Sequence, residues 1–246
     1  MVGKVSGKRL TVGVLGGMGP EATVDFMSKV IALTPADHDQ DHVRMLVDHN
    51  PAVPDRQIDT AEQRENVKKA LVDMAVGLER SGADFLVIPC NTVHDFIGEA
   101  ISAVSIPLVN IVTETVRESR RVAGDSSNVG LLATDGCLRA GLYDEALVEN
   151  GQRPILPDSE AQAQLMQLVG RIKSGDQSES VVNTMTEIAS SLISSGAGVV
   201  VAGCTEIPLV LSQATLTVPL ISSTDVLAQR TVDICLGNHA LPYTHS

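Results

Sequence analysis

Short apolar runs of strand length alternate along the chain with segments whose apolar positions recur at helical spacing. Thr11-Val12-Gly13-Val14-Leu15 reads as a buried strand running into Gly16-Gly17-Met18-Gly19-Pro20. The helix predicted next has Pro20 in its first turn and Ala22, Phe26, Met27, Val30 and Ile31 on one stripe. Met45-Leu46-Val47 predicts a short second strand, followed by a loop over 48–56. The next helix carries Val67, Ala70, Leu71, Met74, Ala75 and Leu78 on its apolar face, with Asp59 and Glu62 as a capping-box start and Gly82 at its end. A strand leading to Cys90, a helix from about Val93 and a strand over Pro107-Leu108-Val109-Asn110-Ile111 complete the first half.

The second half repeats this order. Val129-Gly130-Leu131-Leu132-Ala133-Thr134 matches the Val12 strand at 117 positions, and Pro219-Leu220-Ile221-Ser222 matches Pro107-Leu108-Val109-Asn110 at 112. Ser81-Gly82-Ala83 leads through Phe85-Leu86-Val87-Ile88 to Cys90, as Ser195-Gly196-Ala197 leads through Val199-Val200-Val201 to Cys204, 114 positions later. Between them lie helices carrying Leu165, Leu168, Val169 and Ile172, then Val181, Met185, Ile188, Ala189 and Leu192. Strand–helix alternation predicts an α/β fold with parallel sheets flanked by helices, and the duplication predicts two pseudo-symmetric lobes. The expected division is residues 1–110 with 215–246 as the first lobe and 111–214 as the second, with the active cleft between. Ligands of such sheets lie beyond the carboxyl ends of the strands, where both cysteines fall.

Composition narrows the function. The 246 residues are 43% hydrophobic but only 2% aromatic with no Trp, so a core of Val, Leu, Ile and Ala is expected. A formal net charge of −12 argues against nucleic-acid binding but not against an anionic substrate, since a few cations dominate a pocket. No run approaches the roughly 18 apolar residues of a membrane span. The basic start Met1 to Arg9 is followed by an apolar run too short for a signal peptide, and Asn238 to Ser246 reads as a polar, frayed end. Cys90, Cys137, Cys204 and Cys235 are then expected as free thiols of a soluble cytoplasmic protein.

A cysteine between a strand and a helix has peptide N–H groups and the positive helix end nearby, which favours a reactive thiolate. A lone buried cysteine is more often a small hydrophobe, but two at equivalent turns point to paired chemistry. Cys137 and Cys235 have helix-like surroundings and no such match. No pair of cysteines has metal-ligand spacing, so no metal is expected. His94, four residues after Cys90, is poorly placed as a base for it and reads as a satisfied supporting group. The Gly16–Pro20 turn lacks both the P-loop Lys and dinucleotide-fingerprint spacing, and its glycines read as a close backbone approach to a small ligand. Asn91, Thr92, Thr205 and Glu206 offer polar groups beside the thiols. Arg56 is placed either to clamp a second carboxylate or to pair with Asp55 or Asp59 on its own loop.

Gly16-Gly17-Met18-Gly19-Pro20-Glu21-Ala22-Thr23, Pro54-Asp55-Arg56, Pro89-Cys90-Asn91-Thr92 and Gly203-Cys204-Thr205-Glu206-Ile207-Pro208 resemble the signature segments of the aspartate/glutamate racemase family, over about Leu10 to Leu236. The resemblance implies a cofactor-independent racemase, usually dimeric, with Cys90 and Cys204 as its two acid/base residues. Gly-Cys-Thr-Glu is closer to the aspartate branch, since cell-wall glutamate racemases typically carry Gly-Cys-Thr-His. Lys173 resembles a family lysine that reaches the cleft, and Met18, Asn50 and Thr134 complete the expected substrate contacts.

On this reading one cysteine removes the α-proton of an acidic amino acid, aspartate or also glutamate, and the other delivers a proton to the opposite face. Donors around the α-carboxylate stabilise the developing charge in place of pyridoxal phosphate. The alternatives are a hydantoin racemase or related decarboxylase or isomerase on the same fold, and a non-catalytic dicarboxylate binder.

Overall fold

The computed structural model describes residues 9–57, 60–124 and 126–242. The first half runs β1 (Val12–Gly16), α1 (Pro20–Leu33), β2 (Met45–His49), α2 (Ala61–Arg80), β3 (Phe85–Val87), α3 (Gly98–Ser102), β4 (Leu108–Val109) and α4 (Ile111–Ala123). The second runs β5 (Asn128–Leu132), α5 (Asp135–Arg139), α6 (Leu142–Glu149), β6 (Arg153–Ile155), α7 (Ser159–Lys173), α8 (Glu179–Ser194), β7 (Val199–Ala202), β8 (Leu220–Ser222) and α9 (Ser223–Cys235). Among the described residues no helix is long and apolar enough to cross a membrane.

The strands form two four-stranded sheets, ordered β2-β1-β3-β4 and β6-β5-β7-β8. All their pairings are parallel. The two orders are the same, and the sequence offsets bring β1 onto β5, β3 onto β7 and β4 onto β8. The lead-in turns match as well. Gly82 and Gly196 adopt φ of 94° and 98°, which only glycine takes readily. Ala83 N donates to Leu78 O and Ala197 N to Leu192 O, both at 3.1 Å, closing α2 and α8 in the same way.

Period-two alternation sorts the strand residues into layers. Val12, Val14, Phe85, Val87, Val129, Leu131, Val199 and Val201 join Phe26 of α1, Val112 and Val116 of α4 and Leu227 and Val232 of α9 in one central cluster. Leu86 and Ile88 instead pack with Val67, Leu71, Met74 and Leu78 of α2. Val200 and Ala202 pack with Leu165, Leu168 and Ile172 of α7 and Met185 and Ile188 of α8. Both sheets are therefore covered on both faces, and the shared central layer fixes their carboxyl ends relative to one another.

Several elements differ from the sequence expectation. The cap of α2 is Thr60, whose side chain accepts from Gln63 N; Asp59 lies outside the described residues. On α1, Ala22, Phe26 and Val30 form a narrow buried stripe, and Ile31 is 49% exposed. The strand over 107–111 shortens to β4 because Asn110 Oδ1 accepts from Val112 N and Thr113 N, starting α4 at Ile111. The helix expected from Val93 is a 3-10 turn over Thr92–Phe96, followed by α3. Residues 220–222, expected with the first lobe, pair with β7 in the second sheet, while α9 packs on both α1 and α4. Leu241 packs against the central cluster, so the tail is docked at least that far; residues 1–8 and 243–246 lie outside the described residues.

Candidate active site

Cys90 follows β3 and Cys204 follows β7, the two equivalent central strands, and both side chains are buried. Neither is followed by a long helix. Thr92–Phe96 and Ile207–Leu209 are single 3-10 turns, so the expected helix-end field on the thiols is replaced by contacts with individual groups. Both cysteines line one cavity with Met18, Arg56, Gln57, Asn91, Thr92, Thr134, Lys173, Thr205 and Glu206. Its volume is about 10 Å³, room for roughly one water-sized sphere. A ligand larger than a water enters only when the bounding residues part. A larger groove between α1, α4 and α9, crossed by the Lys29–Asp225 and Arg230–Glu114 ion pairs, includes neither cysteine.

All the expected site residues line this cavity except Asn50. Its Oδ1 accepts from Ala52 N at 3.0 Å, and its N–H donates to Gly16 O at 3.1 Å, so the side chain shapes its own turn. The glycine turn also serves the protein rather than leaving open backbone. Gly17, at φ 90°, passes so close to Asn50 that a Cβ would lie 2.5 Å from its carbonyl carbon. At Gly19 a Cβ would lie 2.9 Å from Glu206 Oε1. The close approach read from these glycines is therefore to protein groups.

Glu206 is buried. Its Oε2 accepts from Cys204 Sγ at 2.9 Å and from Thr205 Oγ1 at 3.4 Å, while Oε1 has no partner. Burial raises the Cys204 thiol well above its ordinary value; the Glu206 charge adds to this and the Lys173 charge opposes it. At rest Cys204 is thus a thiol. Lys173, the last residue of α7, is exposed as a whole residue yet lines the cavity. Burial lowers its pKa, but its acidic neighbours, the Glu206 carboxylate above all, outweigh this and raise it overall. It stays charged.

The Cys90 side is built differently. His94 Nδ1 lies 2.8 Å from Cys90 O, and its Nε2 is buried without a partner. Burial lowers the His94 pKa to about 4, so the ring is neutral, a support for the turn and not a base. Asn91 lines the cavity, but its amide is engaged elsewhere: Oδ1 accepts from Tyr143 Oη at 2.7 Å and Nδ2 donates to Ser223 Oγ at 3.0 Å. It ties the Cys90 turn to α6 and α9. Cys137 and Cys235 lie in α5 and α9, and burial raises each thiol to about 12.

Across the cleft, Thr92 Oγ1 and Thr134 Oγ1 are 2.8 Å apart. Arg56 Nη1 donates to Val53 O and Pro54 O at 3.3 and 2.9 Å, which holds it on its loop without an Asp55 pair. Gln57, which sequence reasoning missed, donates from Nε2 to Thr134 Oγ1 at 3.3 Å and accepts at Oε1 from Gly136 N at 2.8 Å. These partners lie 77 and 79 positions away, and no local pattern announces them.

A model of the Asp/Glu/Hydantoin racemase family matches residues 15–231. The chain is similar to the broad specificity amino-acid racemase RacX of Bacillus subtilis (strain 168), 33% identical over 232 residues that cover 92% of this chain and 98% of that protein. Among solved structures it is similar to Picrophilus torridus aspartate racemase, at 27% identity and a TM-score of 0.81, covering 95% and 96% of the two chains. It shares the fold of glutamate racemase from Francisella tularensis subsp. tularensis SCHU S4 in complex with D-glutamate, at 18% identity and a TM-score of 0.69, covering 97% of this chain and 85% of that one.

Proposed function

The chain belongs to the Asp/Glu/Hydantoin racemase family, and from that premise we propose that it racemises an acidic amino acid, aspartate above all, by proton transfer between Cys90 and Cys204 without a cofactor. The observation that carries this reading is the pair of cysteines ending equivalent strands and lining one cavity with two cations and one carboxylate. A dicarboxylic amino acid brings two carboxylates and one ammonium, the complement of Arg56, Lys173 and Glu206. Arg56 receives the side-chain carboxylate, Lys173 with the Thr92 and Thr205 hydroxyls the α-carboxylate, and the unpartnered Glu206 Oε1 the ammonium.

In one direction Cys90, as thiolate, takes the α-proton, and the Cys204 thiol delivers its proton to the opposite face. In the other, Cys90 starts as a thiol, protonated from solvent, and Cys204 as a thiolate, its proton having passed to Glu206 along the existing Sγ–Oε2 contact; Cys204 then takes the α-proton and Cys90 delivers its own to the opposite face. The α-carboxylate gains charge in the transition state, and fixed donors in a closed site stabilise it there more than in the ground state. Binding alone needs no second thiol, which weighs against a dicarboxylate carrier. Breadth is a second reading, supported by the likeness to a broad-specificity racemase.

Incubating single enantiomers of a panel of amino acids and measuring loss of optical purity tests the proposal. Aspartate is expected to react fastest. Arg56→Ala is expected to lower kcat/KM for aspartate by about 100-fold while leaving alanine nearly unchanged. An equal loss on both removes Arg56 from side-chain recognition.

A further inference from the structure

A second cavity of about 180 Å³ lies outside the catalytic one, lined by Arg56, Arg64, Asp95, Phe96, Gly136 and Arg139 among others. Arg56 lines both cavities and so stands in the wall between them. Among the described residues, three arginines and one carboxylate line it, in a chain whose net charge is −12. Arg64 is committed: its Nη1 bonds Asp95 Oδ2 at 2.8 Å and its guanidinium lies 4.6 Å from the Phe96 ring centroid.

Arg56 and Arg139 are not committed in that way. Arg56, from the first sheet's side, bonds only the carbonyls of Val53 and Pro54. Arg139, on α5 of the second, bonds only Gln57 O, at 2.7 Å. Among the described residues neither has a carboxylate partner. Two uncompensated guanidinium groups converging on one cavity repel each other, and a bound carboxylate relieves that repulsion with charge-assisted hydrogen bonds.

The relative volumes fix an order of events. The inner cavity has room for about one water, and it is closed by the loop whose Gln57 holds Thr134, Gly136 and Arg139 of the other lobe. The outer cavity admits a carboxylate group as it stands. We infer that this mouth is a carboxylate-receiving vestibule, in which Arg56 and Arg139 take the acid group of the incoming substrate before the Gln57 loop yields. The identity of that substrate rests on the racemase reading; the anion site does not.

The test uses malonate, a dicarboxylate with no amino group and no centre to invert. It is titrated calorimetrically into wild type and Arg139→Gln, with aspartate racemisation followed in parallel. Arg139→Gln is expected to weaken malonate binding about 5- to 10-fold and to raise the KM for aspartate by a similar factor, with kcat within about twofold of wild type. It is also expected to flatten the decline of kcat/KM with ionic strength, and Arg139→Lys to restore that decline. Equal malonate affinity in wild type and Arg139→Gln overturns the vestibule. So does a fall in kcat with KM and salt dependence unchanged, the signature of Arg139 acting only as a clasp for the Gln57 loop. Sulfate binding as tightly as malonate, with no competition against aspartate, overturns it too, because the site then serves an inorganic anion. Arg139-dependent malonate binding in a protein that inverts no amino acid sustains the vestibule and refutes the reaction.

Discussion

After β3, Cys90 is held through its main chain: His94 sits on its carbonyl and Asn91 pins the turn to Tyr143 and Ser223. After β7, Cys204 is held through its thiol, which donates to Glu206 within reach of the Lys173 charge. The two turns follow matched strands in sheets of the same order, so the backbone frame is duplicated while the chemistry around each sulfur is not. Duplication supplies two equivalent positions on a common scaffold, and local side chains then set what surrounds each thiol. A symmetric reaction can therefore run on an electrostatically asymmetric site.

The largest effect expected from breaking this comparison is at the sulfurs: Cys90→Ala and Cys204→Ala each lower kcat by about 1,000-fold or more in racemisation assays. Next is Glu206→Gln, which keeps the shape but loses the proton acceptor for Cys204. It is expected to lower kcat/KM about 100-fold. The loss must be equal in both directions, because the equilibrium constant between enantiomers is unity. The asymmetry shows instead in the α-deuterium isotope effect, which should grow only from the enantiomer deprotonated by Cys204. Equal isotope effects from both enantiomers would remove Glu206 from that role.

The Cys90 side should answer through stability. Asn91→Ala takes one hydrogen bond from the buried Tyr143 hydroxyl and one from Ser223, and denaturant unfolding should register a loss of about 2 kcal/mol. The pH-dependent effect belongs to His94. Its folded pKa of about 4 lies below the ordinary 6.5, so the unfolded chain binds a proton first. The stability this represents is fully present above pH 6.5 and is lost as pH falls toward 4, by at most about 1.4 kcal/mol per pH unit. Unfolding of His94→Gln across that window should be flatter; an unchanged slope would assign the acid sensitivity to other groups.

The parts legible in the sequence were those written locally. Strand runs, the apolar faces of α2, α7 and α8, the glycine turns after α2 and α8, and both cysteine turns all carry short-range patterns. β6 was not legible because it is a three-residue edge strand containing Pro154, which edge position alone tolerates. The start of α4 was hidden because Ile111 continues an apolar run, and only the Asn110 cap ends the strand. In the site, the residue types and most lining positions were readable, but their partners were not. Asn91 reads as a ligand donor until Tyr143 and Ser223, 52 and 132 positions away, are seen to occupy its amide. Gln57 carries no motif and acquires its place only when the lobes meet.

The central claim is that two thiols on opposite faces exchange the α-proton. The direct measurement is racemisation of L-aspartate in deuterated water, with deuterium read at Cα in both enantiomers during the first few per cent of reaction. Two opposed bases predict that the D-aspartate formed carries deuterium while the remaining L-aspartate keeps its hydrogen, and that Cys90→Ala and Cys204→Ala each stop the inversion. Equal early labelling of both enantiomers, or inversion surviving loss of either sulfur, would contradict the account.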